Sequence, residues 1–292
     1  MEEINMLKSL YSGVTGMKSQ QTKMDVISNN IANVSTTGFK AGRVRFEDMI
    51  SQTNANAQEG INAQQVGLGV QTGSIDTIMT GGSLQTTGRA LDFGIENGDS
   101  SFFTVSGDGG VNNSYTRDGG FYTGYNGDLV TSSGLNVMGF AANEGNTGIA
   151  EPRVLRALNI PADHPTVTDA DGNPVELQNY SVDNTGVITG TYSDGNSYTL
   201  GKIALTSFSN PDGLEKAGGN LYISTANSGN PVVGEPGEPG YGKVQSGFLE
   251  MSNVDLANEF TEMIVTNRAY QANSRSITTS DQMLEELINL KR

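Results

Sequence analysis

A three-four spacing of apolar residues runs through both ends of this chain and through nothing between them. From Leu7 it picks out Leu7, Leu10, Val14, Met17, Gln21, Met24, Ser28 and Ile31. From Leu256 it picks out Leu256, Phe260, Met263, Asn267, Tyr270, Ser274, Ile277, Asp281, Leu284 and Ile288. The repeat predicts two amphipathic helices, each with one narrow apolar stripe interrupted by polar residues that fix register. Asp255 stands where a carboxylate favours a helix start. At 1.5 Å per residue the helices would be about 40 Å long over 7–33 and about 58 Å over 254–292. A body made from the rest of the chain cannot cover stripes of that length. Pairing of the two ends, followed by packing against further copies, would cover them. Periodicity alone leaves open an ordinary helical hairpin closed within one subunit.

The middle has a different character. Glycine, at 38 residues, is concentrated there with Asn, Ser, Thr and Asp, and these turn formers alternate with short apolar runs. Strands are expected at 74–79, 91–95, 101–105, 114–116, 120–123, 129–130, 154–158, 174–177, 180–182, 187–192, 197–200, 203–208 and 244–250. The turns between them include GDGG at 107–110, RDGG at 117–120 and NGD at 126–128. TGVITGTYSDGNSYTLG signals a hairpin with its loop at Asp194-Gly195 or Gly195-Asn196. Residues 34–75 read as an extended linker, and 229–242 as an irregular Pro/Gly-rich loop. The expected fold is mainly β with α-helical termini. Its parts are an N-terminal helix at 1–33, the linker at 34–75, a central β body at 76–250 and a C-terminal helix at 251–292. The two helices would form a coiled-coil-like stalk.

Composition narrows the function. Cysteine is absent and histidine occurs once, at His164, which removes disulfides, thiolate chemistry and multi-histidine metal sites. Residues 1–45 hold six Lys/Arg against three Asp/Glu, whereas 46–253 hold seven against twenty-three. A body so acidic repels phosphate, so nucleic acid is not an expected partner. No apolar run is long enough to span a membrane, and MEEINMLKSLYSG lacks the apolar core of a cleaved signal peptide, so any export is expected by another route. Asp169-Ala170-Asp171-Gly172-Asn173 imitates a calcium loop, but Pro174 and Tyr180 stand where that loop needs Gly and Glu, and a β-turn is expected. Gly67, Gly69 and Gly73 have the wrong spacing for a dinucleotide loop. No catalytic residue, metal or cofactor is expected.

Several long segments carry a resemblance. MDVISNNIANVSTTGFKAGRVRFEDM (24–49) and GFLEMSNVDLANEFTEMIVTNRAYQANSRSITTSDQMLEELINLKR (247–292) resemble the terminal signatures of the flagellar rod and hook protein family. TGRALDFGIENG (87–98), YTRDGGF (115–121) and NPDGLEKAGGNLYISTANSG (210–229) are similar to its first β domain and to the segment returning from it. The resemblance implies a structural protein of bacterial motility, exported largely unfolded through the flagellum's own type III secretion apparatus without a cleaved peptide. It implies polymerisation into a hollow helical tube with terminal helices inside and β domains outside. SNVDL at 252–256 and the ending ELINLKR resemble hook members more than distal-rod members. The implied role is therefore the hook, a flexible universal joint outside the cell that transmits torque from motor to filament. The partners implied are sister copies, the export apparatus, and the distal-rod, hook-cap and hook–filament junction proteins. The Asn/Gln-rich stretch 51–65 falls where distal-rod members carry an insertion, which makes a distal-rod subunit of the basal body the alternative. Residues 1–5 precede the family's usual start, and 140–200 is expected to hold an insertion.

Three groups of residues follow as candidates. Leu7, Leu10, Val14, Met17, Met24, Ile31, Leu256, Phe260, Met263, Tyr270, Ile277, Leu284 and Ile288 are expected at a polymer interface. Asn29, Asn30, Asn33 and Gly38 are expected to turn the chain at the end of the first helix, since Asn and Gly favour caps and turns. Phe46 and Ile50 resemble the apolar element with which exported subunits dock at the export gate; two apolar residues four apart are also common on any helix.

Overall fold

In a computed structural model the protein is described over residues 2–56, 62–143, 148–149, 153–168 and 174–290, so the 169–173 turn lies outside the described residues. The chain divides into two compact units and passes between them at 34/35, 40/41, 78/79 and 253/254. It is mainly β with a helix at each end, as the periodicities predict.

The first unit comprises 1–34, 41–78 and 254–292. Its helices are α1 (Glu2–Ala32) and α2 (Leu256–Leu290). Asp255 caps α2, accepting the Ala257 N–H at 2.9 Å through Oδ1. α1 ends where Asn33 folds back, its backbone N–H at 3.1 Å and its side-chain Nδ2 at 2.9 Å from the Asn29 carbonyl.

Among the described residues, most of the segment expected as an extended linker from 42 onward is instead paired as a β ribbon. Strand β1 (Gly42–Asp48) pairs antiparallel with β4 (Val70–Thr77), and β2 (Gln52–Ala55) pairs with β3 (Gln64–Val66). The ribbon carries almost no apolar alternation because it buries so little. Val44 is half-buried, while Arg43 and Arg45 lie exposed against Asp76, with Arg45 Nε at 3.2 Å. Its backbone groups are satisfied by pairing, which leaves no periodic mark in the sequence.

The second unit, 35–40 with 79–253, holds an antiparallel sheet system of fourteen strands among the described residues. The strand Ser101–Ser106 is buried along its whole length. Its alternating side chains serve two cores: Phe103 and Val105 join Phe93, Phe121, Leu129, Val137, Ile203 and Leu205, while Phe102 joins Tyr115, Phe208 and Tyr222. Edge-to-face contacts order both, with Phe103–Phe121 centroids at 5.3 Å and Tyr115–Phe208 at 4.8 Å. The hairpin at 187–203 forms as read, with Gly195 at φ 79° inside its loop. Six strands of the second unit escape the sequence reading: Leu84–Thr86, Asp163–Thr168, Glu215–Gly218, Leu221–Ile223 and the two that follow. Asn136–Ala141 lies centrally in the sheet, and Val232–Gly234, inside the expected loop 229–242, pairs with Leu205–Ser207. Both are short and glycine-containing, and a β partner fixes them rather than their own propensity. His164 falls in the strand Asp163–Thr168.

Gly38 shows why one glycine is needed in the turn. Its φ is +66°, and a Cβ there would lie 2.6 Å from the Asp118 backbone nitrogen. Gly38→Ala is expected to destabilise the second unit by about 2–4 kcal/mol, left-handed strain plus a backbone overlap that cannot be relieved by a rotamer. Urea unfolding should show the shift; a midpoint equal to that of the unsubstituted protein would contradict it.

Candidate assembly interface

In the first unit α1 and α2 run antiparallel, joined along a seam of small and polar groups. Ser9 Oγ lies 3.2 Å from Ser280 Oγ, Lys23 Nζ 2.5 Å from Glu262 Oε2, and Asn30 Nδ2 donates to Glu259 Oε1 at 3.1 Å. Gly13 and Gly16 permit the close approach. A Cβ on Gly13 would lie 2.9 Å from Ile277 Cγ1, and one on Gly16 only 2.6 Å from Asn273 Nδ2. Thr266 is buried, and its hydroxyl has no hydrogen-bond partner among the described residues. The Lys23–Glu262 pair is partly exposed and contributes less than about 1 kcal/mol. Among the described side chains of the two helices, Ile27 is the one apolar group that is fully buried; the other buried ones, Ser19, Asn30, Thr266 and Ser280, are polar.

Asn30 holds three elements at once. It is buried, its Nδ2 donates to the Gly42 carbonyl at 2.9 Å as well as to Glu259, and its Oδ1 accepts the Gly42 N–H at 2.9 Å. Partial burial raises the Glu259 carboxyl pKa above its ordinary value, and the Asn30 hydrogen bond opposes that shift. On the same flank of α1, Ser19 Oγ reaches the Val70 carbonyl at 3.4 Å, and the Val26 side chain packs beside Gly42.

The expected apolar stripes lie beside the seam. At about 100° per residue, Leu10, Val14, Met17 and Met24 sit roughly a quarter-turn from the positions that face α2, on the side away from the ribbon. Val14 is exposed and the other three are half-buried. On α2, Leu256, Phe260 and Ile264 are 40%, 51% and 63% exposed, with Met263 half-buried between them. Because α2 runs antiparallel to α1, this flank turns to the same side as the α1 stripe. The result is one uncovered apolar face shared by two helices.

A strict seven-residue spacing drifts by about 20° per heptad on a straight helix. The stripe of α2 therefore starts on the outer flank and works toward the seam. Ile277 meets Gly13 and is half-buried, as is Leu284, whereas Tyr270 and Ile288 are exposed. Ile31 is half-buried near the end of α1, and Leu7 lies in its first turns. Phe46 is in β1 and Ile50 just past it; both are exposed, and neither lies on a helix.

Sequence reading missed the seam glycines, for which the only signal is Gly-x-x-Gly at one helix spacing. It also missed a buried charge cluster in the second unit. Lys40 Nζ lies 2.5 Å from Glu250 Oε1, and Arg117 Nη1 3.1 Å from Glu250 Oε2, all three side chains being at most 1% exposed. Burial pulls the Lys40 ammonium pKa below its ordinary value, with Glu250 opposing the shift. Burial pushes Tyr222, beside the cluster, up to about 12, a rise that Arg117 opposes. No helix among the described residues is long and apolar enough to cross a membrane.

A β-rich unit, with chain ends that pair as a long helical hairpin leaving an apolar face uncovered, defines a class of β protein with helical termini. Three family models match this chain: flagella basal body rod protein at 10–40, the D1 domain of flagellar hook protein FlgE/F/G at 97–190, and the C-terminal region of flagellar basal body rod FlgEFG protein at 245–290. The flagellar basal-body rod protein FlgG of Bacillus subtilis is 45% identical over 294 residues, covering 98% of this chain and all of that protein. The flagellar hook protein FlgE of Borreliella burgdorferi is 32% identical over 445 residues, with 98% and 100% covered. FlgG of Agrobacterium fabrum is 37% identical, with 95% and 97% covered. The chain belongs to the flagellar basal-body rod and hook family and is a structural subunit of the flagellar axis. The D1 match takes in most of the stretch expected as an insertion at 140–200.

Proposed function

We propose that copies of this chain polymerise into a tube of the flagellar axis through the apolar face shared by α1 and α2. The observation that carries this reading is the division of labour on the helices: mostly small and polar groups, with Ile27 and Ile277, pair them within one subunit, while Val14, Phe260 and Ile264 are left in water. Burying a Val, Met or Phe side chain contributes about 1.5–3 kcal/mol, so a few per subunit suffice to drive association. Self-association, contact with neighbouring axial proteins and passage through the flagellar export apparatus follow from this reading. The exposed pair Phe46 and Ile50 is its candidate for gate docking.

Between the two tubes, similarity ranks the distal rod first. FlgG of Bacillus subtilis aligns over 294 positions, close to this chain's 292 residues, whereas the hook protein of Borreliella burgdorferi needs 445. The hook remains the second reading, supported by SNVDL at 252–256 and by full-length matches to hook proteins. Salting out purified protein and imaging by negative stain tests both. Straight, rigid tubes are expected for a rod and curved, polymorphic ones for a hook. A subunit that stays monomeric at every concentration and salt would sink the assembly reading altogether.

A further inference from the structure

The three members of the buried charge cluster come from distant parts of the chain. Glu250 is 210 residues from Lys40 and 133 from Arg117. Each lies within a different one of the three matched family segments. We propose that Glu250 is a folding gate: the second unit closes on its native core only when this carboxylate arrives to neutralise Lys40 and Arg117.

The geometry makes one residue the hub. Glu250 Oε1 accepts from Lys40 Nζ and from the Gly82 N–H at 2.9 Å, Oε2 accepts from Arg117, and its backbone carbonyl accepts the Gly38 N–H at 2.8 Å. Lys40 Nζ also donates to the Thr80 carbonyl at 2.7 Å, and Arg117 Nη2 donates to the Gly98 carbonyl while its guanidinium lies over the Phe102 ring at 4.9 Å. The other groups acting on the pocket are Asp99, which acts on Lys40 electrostatically, and the neutral phenol of Tyr222. Asp99 is itself exposed, so it leaves two buried cations unneutralised when Glu250 is missing. Two like charges in a dry pocket are strongly unfavourable, and removing one partner of a buried pair is far worse than replacing the whole set by apolar groups. In a chain made from the N-terminus, both cations precede their counter-charge. The body then stays open until nearly the whole chain is present. This proposal does not depend on the assembly reading.

The test compares refolding of three full-length proteins, followed by tyrosine fluorescence and circular dichroism, since the chain has ten Tyr and no Trp. Glu250→Gln keeps the shape and removes the charge; its refolding is expected to slow by roughly tenfold or more. A triple variant, Lys40→Met with Arg117→Met and Glu250→Met, is expected to refold within about threefold of the unsubstituted rate. If Glu250→Gln refolds at the unsubstituted rate and only unfolds faster, the cluster forms after the barrier and the gate is overturned. If the triple variant is as slow as Glu250→Gln, or neither folds, the strand and not the charge controls closure, which also overturns it.

Discussion

A Val14→Glu, Phe260→Glu double variant is expected to form no tubes at concentrations where the unsubstituted protein assembles, while its second unit melts at an unchanged temperature. Both side chains are exposed on the same side of the helical hairpin, at 38% and 51%. Glutamate matches or exceeds the helix propensity of the residues it replaces, so the helices themselves should persist. Each replaced side chain forfeits about 1.5–3 kcal/mol of burial in the polymer. Each introduced carboxylate must also be stripped of water if the interface is to close. A loss of about 3–6 kcal/mol raises the assembly threshold by roughly two to four orders of magnitude. Pelleting with negative stain measures it. Tubes appearing at the ordinary threshold would remove the helical face from the interface.

The second large effect belongs to Asn30. Asn30→Asp replaces the Nδ2 donor by an oxygen facing the Gly42 carbonyl and the Glu259 carboxylate. Two hydrogen bonds become repulsions in a buried place, and an unsatisfied buried group costs about 1–3 kcal/mol, with more for a charged one. The first unit is expected to lose helix protection at neutral pH, read by hydrogen exchange on α1 and α2. The sign of the pH dependence follows from Glu259, whose folded pKa is already raised by burial. Its native form binds protons more readily than its unfolded form, so stability falls as pH rises through and above the carboxylate range and returns on acidification. The variant should exaggerate this, with protection recovered as either carboxyl takes a proton and becomes a donor again. Equal protection in the variant and the unsubstituted protein at neutral pH would remove the node from the account.

The ends of this chain were the legible part. Seven apolar positions of ten from Leu256 to Ile288 and a carboxylate at Asp255 are local signals, and α2 begins at Leu256 in the structure. The glycine-punctuated short strands of the middle were legible for the same reason, since turn chemistry is written in adjacent residues. The ribbon strands at 42–55 and 64–77 were not. They pair with each other and bury too little to impose alternation on Arg43-Val44-Arg45. The charge cluster was invisible because Lys40, Arg117 and Glu250 look like any solvated charges until folding brings them together. The apolar stripe of each helix was legible, but its orientation was not. The drift of a seven-residue repeat on a straight helix, and the glycine contacts at Gly13 and Gly16, decide which positions face α2 and which face water.

Local order came from the sequence alone: where the helices run, where the turns fall, and that thiolate and multi-histidine chemistry are excluded. The tertiary structure decided which side of each helix is spent on its partner, that 42–48 pairs with 70–77 and 52–55 with 64–66 rather than trailing, and that one glutamate neutralises two buried cations. The physical reason is range. Periodicity and capping act over a few residues, whereas burial and charge pairing join residues more than two hundred positions apart, as Lys40 and Glu250 are.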